Sequence, residues 1–164
     1  MRKTDSTAVK TACLQLEDFL PYRLTVAADM ISRSLSKVYA GYDITIPEWR
    51  VMAQLFRHGS LTPGELGRLA NMEKARVSRA LILMNNKELI TRTPDAHDRR
   101  VAYIDLSSKG QTLYARIEPH IVAWNQDFCG QLGIQSEMEL LQLLQGIETW
   151  CRNVDSSEQV MKHS

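Results

Sequence analysis

The sequence predicts a mainly α-helical chain with a small β-hairpin wing: a winged helix-turn-helix carried between N- and C-terminal dimerisation helices. Three observations predict it. Residues 61–110 begin with a short capped helix, a turn, and a second helix with Lys74, Arg76, Ser78 and Arg79 near its start. Two short β-branched runs follow, separated by a charged, turn-rich loop from Thr93 to Arg100. Long apolar stripes of helical period flank this block on both sides. A helix of this kind fits a major groove, and a basic hairpin beside it reaches an adjacent minor groove.

The elements follow in order. Leu16, Leu20, Leu24, Ala27, Ile31, Leu35, Val38 and Tyr42 recur at spacings of three and four, the mark of one amphipathic helix of about 25 residues. Pro21 stands near its start, and Gly41 and Asp43 break it. Thr45-Ile46-Pro47-Glu48 is a capping box with proline in the first turn, so a helix starts there, runs through Trp49 and Phe56, and stops at Gly59. Thr62-Pro63-Gly64-Glu65 repeats the box and opens a helix ending near Ala70. Asn71 and Met72 make the turn, and the next helix runs from about Glu73 to Asn86 with Val77, Leu81 and Met84 inward. Leu89–Thr93 and Val101–Leu106 are the strands of the hairpin. Ser107 or Ser108 caps a long helix carrying Leu113, Ile117, Ile121, Trp124 and Phe128, interrupted by Gly130 and Gly133. Ser136-Glu137-Met138-Glu139 opens a last helix with Leu140, Leu144, Ile147 and Cys151 on one face. The expected organisation is dimerisation helices at 15–44 and 107–154, a DNA-binding module at 45–106, and a polar, disordered tail at 155–164.

Composition narrows the function. At 164 residues and 44% hydrophobic content, the chain is expected to build one globular domain, or one domain with an appended element. No apolar run approaches the roughly 20 residues that span a bilayer, and the first residues lack a signal-type apolar core. Three widely spaced cysteines, Cys13, Cys129 and Cys151, do not form a disulfide framework, which points to the cytoplasm. The net charge is only +1, but Arg57–Lys109 holds ten Lys/Arg against six Asp/Glu, so the excess sits in the middle of the chain. Paired carboxylates, a glycine-rich phosphate loop and a nucleophile elbow are all missing, so the sequence names no reaction. His58, His97, His120 and His163 show no ligand spacing, and neither metal nor cofactor is expected.

Four passages resemble the MarR family of bacterial transcription regulators, across about residues 15–153. Ile44–Leu55 is similar to the family's second helix, and Leu66–Leu81 to its helix-turn-recognition helix. Asp98-Arg99-Arg100, with Leu106-Ser107 after Val101–Asp105, is similar to the wing pattern, and Ser108-Lys109-Gly110 to the entry of the fifth helix. Glu88 departs from the pattern, because the family usually has glycine there in a left-handed backbone. Ile82 and Leu83 are more apolar than usual for a recognition helix. Either the wing buries them or they trim polar contacts to DNA.

The resemblance implies roles. Arg79 stands at a base-reading position, Arg76 is the next candidate on the same helix face, and Lys74 and Ser78 suit phosphates. Arg100 becomes the minor-groove residue, Asp98 pairs with an arginine to stiffen the loop, and His97 and Arg99 neighbour phosphates. The partners implied are double-stranded DNA with a near-palindromic operator, a second copy of the chain, and a small aromatic or phenolic effector whose binding releases the repressor. Arg23, Met30, Arg33 and Trp49 are the expected effector-site residues. Regulation through cysteine oxidation, on the same fold, is the alternative.

Overall fold

The computed structural model describes residues 14–95, 101–133 and 137–161. Its backbone divides into two compact units, Met1–Ile117 and Glu118–Ser164.

In the first unit a single 3-10 turn (Leu16–Asp18) precedes α1 (Leu20–Ala40). The sequence pattern begins at Leu16, yet the helix starts at Leu20. Proline has no N–H to donate, so Pro21 is accommodated only in a first turn. The chain turns at Tyr42 and Asp43, the latter at φ 55°, and enters α2 (Ile46–His58). Glu48 Oε2 accepts from both the N–H and the hydroxyl of Thr45, at 2.9 and 2.6 Å, closing the expected box. Thr62 and Glu65 do the same for α3 (Pro63–Leu69). The backbone N–H and hydroxyl of Thr62 hold the Glu65 carboxyl below the ordinary glutamate range.

After the turn at Asn71 (φ 49°), α4 (Lys74–Asn86) packs Val77, Ala80 and Met84 inward. They meet Val51, Met52 and Leu55 of α2 and Leu66 of α3 in one buried core. β1 (Ile90–Pro94) pairs antiparallel with β2 (Ala102–Leu106), Ile90 opposite Leu106 and Pro94 opposite Ala102. Leu61 and Ile104 exchange backbone hydrogen bonds of 2.9 and 2.8 Å, so the segment before α3 is stitched to the hairpin. That bridge is not legible in the sequence, because one paired residue leaves no alternation to read.

The α4–β1 junction shows why Glu88 departs from the family pattern without breaking the fold. Glu88 takes φ 60°. Its N–H bonds to Asn85 O and that of Leu89 to Met84 O, both at 2.9 Å, which is a Schellman ending with a non-glycine residue in the left-handed position. A Cβ there costs roughly 1 kcal/mol. Lys109 returns part of this through an exposed 3.3 Å ion pair with Glu88. Glu88→Gly is therefore expected to raise stability by about 0.5–1 kcal/mol in chemical denaturation. A variant less stable than the wild type would mean that the ion pair outweighs the backbone strain.

Ser107 caps α5 (Ser108–Gln131): its hydroxyl accepts from the Gly110 N–H at 3.0 Å and donates to Glu88 O at 2.7 Å. In the second unit, Trp124 and Phe128 of α5 stack at 5.2 Å, and Gly133 (φ 63°) follows the helix end. The last helix, α6, runs Glu137–Met161. It starts where the capping box places it, although Ser136 lies outside the described residues. It does not stop at Val154, as a disordered tail from 155 would require. The segment from Asp155 to Met161 contains neither proline nor glycine, so nothing local breaks the helix.

Candidate nucleic-acid interface

Helix α4 is the second helix of a helix-turn-helix, and its geometry follows from its period. Val77, Ala80 and Met84 face the core, which turns Lys74, Arg76, Ser78 and Arg79 to the outside, where all four are exposed. No acidic residue lies between Lys74 and Asn86, so the outward face is cationic over its first half, from Lys74 to Arg79, and uncharged beyond it. Among the described residues, the Arg79 side chain donates from Nε to the Ala75 carbonyl, at 3.4 Å, within its own helix. The guanidinium is held along the helix and remains open to a partner.

Lys74 and Ser78 also line a crevice of about 510 Å³ between α4 and the hairpin, with Asn85, Asn86, Ile90 and Arg92 among its walls. The sequence-based set of DNA contacts lacks Arg92, although a signal for it exists. Ile90 and Arg92 are two apart on a strand, so both side chains emerge on the same face. Ile82 is 57% exposed and Leu83 43% exposed, so the described part of the wing does not bury them. Ile82 forms part of the crevice wall instead. His97, Asp98, Arg99 and Arg100 lie outside the described residues, as does Cys13. Cys129 and Cys151 are free thiols, the first half-buried and the second exposed.

A second crevice, of about 270 Å³, lies between α1 and α2, lined by Ala28, Ile31, Ser32, Leu35, Tyr39, Ile46, Trp49 and Arg50. Trp49 is the one expected effector-site residue found there. Its indole stacks on Tyr39 at 5.5 Å and on Tyr114 at 5.4 Å, and Phe56 continues the ladder 4.0 Å from Tyr114. Burial raises the Tyr39 phenol above the ordinary tyrosine value, and Arg50 pulls against that shift. Arg23, Met30 and Arg33 are not part of this wall. At about 100° per residue, positions 28, 31, 32, 35 and 39 share one face of α1, and 23, 30 and 33 come round on the other. Met30 is 60% exposed there, and Arg33 pairs with Asp29 at 2.8 Å on the surface. The cation at the crevice is Arg50, one residue after Trp49.

Residues 42–101 match the MarR family. Among curated relatives, the transcriptional regulator HosA of Escherichia coli O127:H6 is 26% identical over 102 residues, 62% of this chain and 76% of that protein. The homoprotocatechuate degradative operon repressor of Escherichia coli is 23% identical over 130 residues, 79% of this chain and 88% of that protein. Among solved structures, a MarR family transcriptional regulator from Silicibacter pomeroyi superposes with a TM-score of 0.66 at 27% identity, covering 87% of this chain and 91% of its own. A mutant of Escherichia coli MarR complexed with operator DNA gives 0.67 at 18% identity, covering 85% and 99%. NadR in complex with 4-hydroxyphenylacetate gives 0.68 at 19% identity, covering 82% and 96%.

Proposed function

This chain belongs to the MarR family of winged helix-turn-helix transcriptional regulators, and from that premise we propose that it is a homodimeric repressor that holds a near-palindromic duplex until a small aromatic acid enters the crevice beside Trp49. The observation that carries the DNA reading is the outward face of α4, where Lys74, Arg76, Ser78 and Arg79 stand exposed with no acid in the helix. An arginine in a major groove binds guanine O6 and N7 with two parallel hydrogen bonds, which suits Arg76 and Arg79. Lys74 and Ser78 sit towards the hairpin with Arg92. A phosphate strand separates the two grooves, so residues between a groove-entering helix and a wing are placed for phosphates. Asp98 and Arg100 keep their motif-based roles in the wing: minor-groove contact for Arg100, loop stiffening for Asp98.

The dimer reading rests on each terminal helix separately. Leu16, Leu20 and Ile31 are exposed at the start of the chain, and Leu140, Leu144, Ile147 and Trp150 on α6. Stripes of this length call for a partner surface, and a second copy is the simplest one. Two-fold symmetry then spaces the recognition helices about one DNA turn apart, roughly 34–36 Å. The effector reading rests on the Tyr39–Trp49–Tyr114 ladder with Arg50 beside it: a flat ring suits the indole and a carboxylate suits the guanidinium. NadR, of similar fold, binds 4-hydroxyphenylacetate, and a relative represses an operon for homoprotocatechuate degradation.

One set of measurements tests all three parts. The protein is expected to sediment as a dimer at micromolar concentration and to enrich a near-palindromic sequence from a pool of random duplexes. 4-Hydroxyphenylacetate is expected to weaken binding of that duplex by a factor that the duplex returns on the acid's own affinity, with couplings of about 1–3 kcal/mol typical. Enrichment of no sequence would sink the DNA reading, a stable monomer the dimer, and an affinity indifferent to the acid and to its hydroxybenzoate analogues the effector.

A further inference from the structure

The most deeply buried charge described in the first unit is Glu48, with 0% of its surface exposed. Its Oε2 is taken up by Thr45. Its Oε1 has no hydrogen bond of directed geometry but lies 2.9 Å from the Lys87 ammonium. Lys87 is the C-cap of α4. The same ammonium meets the Asp43 carboxylate at 3.2 Å and donates to the Asp43 backbone carbonyl. Asp43 is the left-handed residue of the corner between α1 and α2. One side chain therefore joins the end of α4 to a corner 44 positions earlier in the chain.

We infer that Lys87 is a positioning residue: clamped between Glu48 and Asp43, it sets the orientation in which α4 presents Arg76 and Arg79 to a duplex. This rests on the DNA-reading role proposed for α4. The physical ground is a division of labour. Val77, Ala80 and Met84 seat the helix on α2, but apolar contact has no direction, and a helix held by it alone can roll or slide. The clamp adds a fixed distance at one end, followed at once by the strained Glu88 turn. Burial works against the Lys87 ammonium, yet its contacts with Glu48 and Asp43 hold its pKa above the ordinary lysine value. The lysine is thus charged at neutral pH. A buried carboxylate stripped of its partner is costly, so Glu48 has no equivalent place to go. Base reading by two parallel hydrogen bonds tolerates little rotation, whereas phosphate contact tolerates much. Losing the clamp is therefore expected to cost sequence reading more than general DNA affinity.

The test compares affinity for the duplex enriched by the wild-type protein with affinity for a shuffled duplex of the same composition. The principal variant is Glu48→Gln/Lys87→Met, which removes both charges and leaves neither buried alone. Its ratio of specific to shuffled affinity is expected to fall roughly tenfold, with affinity for the shuffled duplex nearly unchanged. Lys87→Arg, with Glu48 kept, is expected to retain most of the ratio. A merely structural role would lower the folded fraction, which moves both affinities together and leaves the ratio intact. If the double variant melts below the assay temperature, Asp43→Asn provides the reading, since asparagine tolerates the left-handed backbone and the site is exposed. Its ratio is expected to fall about two- to threefold. A folded double variant, or failing that Asp43→Asn, with the wild-type ratio overturns the inference and leaves the DNA reading standing. A wild-type protein that enriches no sequence overturns both.

Discussion

Replacing Gly110 by alanine is expected to give the largest loss of stability of any single methyl added to this chain. A Cβ at Gly110 would lie 2.1 Å from the Leu89 carbonyl oxygen, 3.1 Å from the carbon of the same group and 3.2 Å from Leu106 Cδ2. The obstacle is backbone, so no rotamer change relieves it. That carbonyl also accepts the Ser107 N–H at 3.0 Å, and Leu89 closes the Schellman ending of α4. Relief requires separating the start of α5 from the junction of recognition helix and wing, against buried Leu89, Leu106 and Ile117. Overpacking of this kind costs about 3–5 kcal/mol, at the upper end for a point change. For a chain of this length that corresponds to a fall in Tm of roughly 6–20 °C. A scanning calorimetry trace within about 2 °C of the wild type would show that the helix entry is not packed against the junction as described.

Arg79→Ala is expected to have the largest effect on sequence reading by a single exposed side chain. The side chain is exposed and, among the described residues, bonds within its own helix, so removing it leaves the core intact. Loss of a bidentate guanine contact costs about 1–3 kcal/mol, and preference should flatten at one base position in each half-site. Lys74→Ala provides the contrast. Removing a phosphate-binding ammonium should weaken all duplexes alike and reduce the salt dependence by about one counterion. The two signatures separate base reading from phosphate binding in one titration series. Unchanged affinity and unchanged base preference in folded Arg79→Ala would remove Arg79 from the reading face.

The sequence by itself determined whatever depends on local rules. The two capping boxes at Thr45 and Thr62 appear as their spacing requires, since Thr and Glu three apart satisfy each other's backbone whatever surrounds them. Helix period alone placed Arg76 and Arg79 on the face of α4 away from Val77, whereas the left-handed backbone at Glu88 was implied by the family resemblance, which has glycine at that place. Tertiary structure decided the rest. The crevice wall is Ala28, Ile31, Ser32 and Leu35 with Arg50, and not Arg23, Met30 or Arg33, because which face of an amphipathic α1 meets α2 depends on how the two helices cross. Pairing of Leu61 with Ile104, the burial of Glu48 against Lys87, and the approach of Gly110 to Leu89 join residues far apart in the chain. No period or spacing records such pairs: they exist only once the core has drawn the helices together.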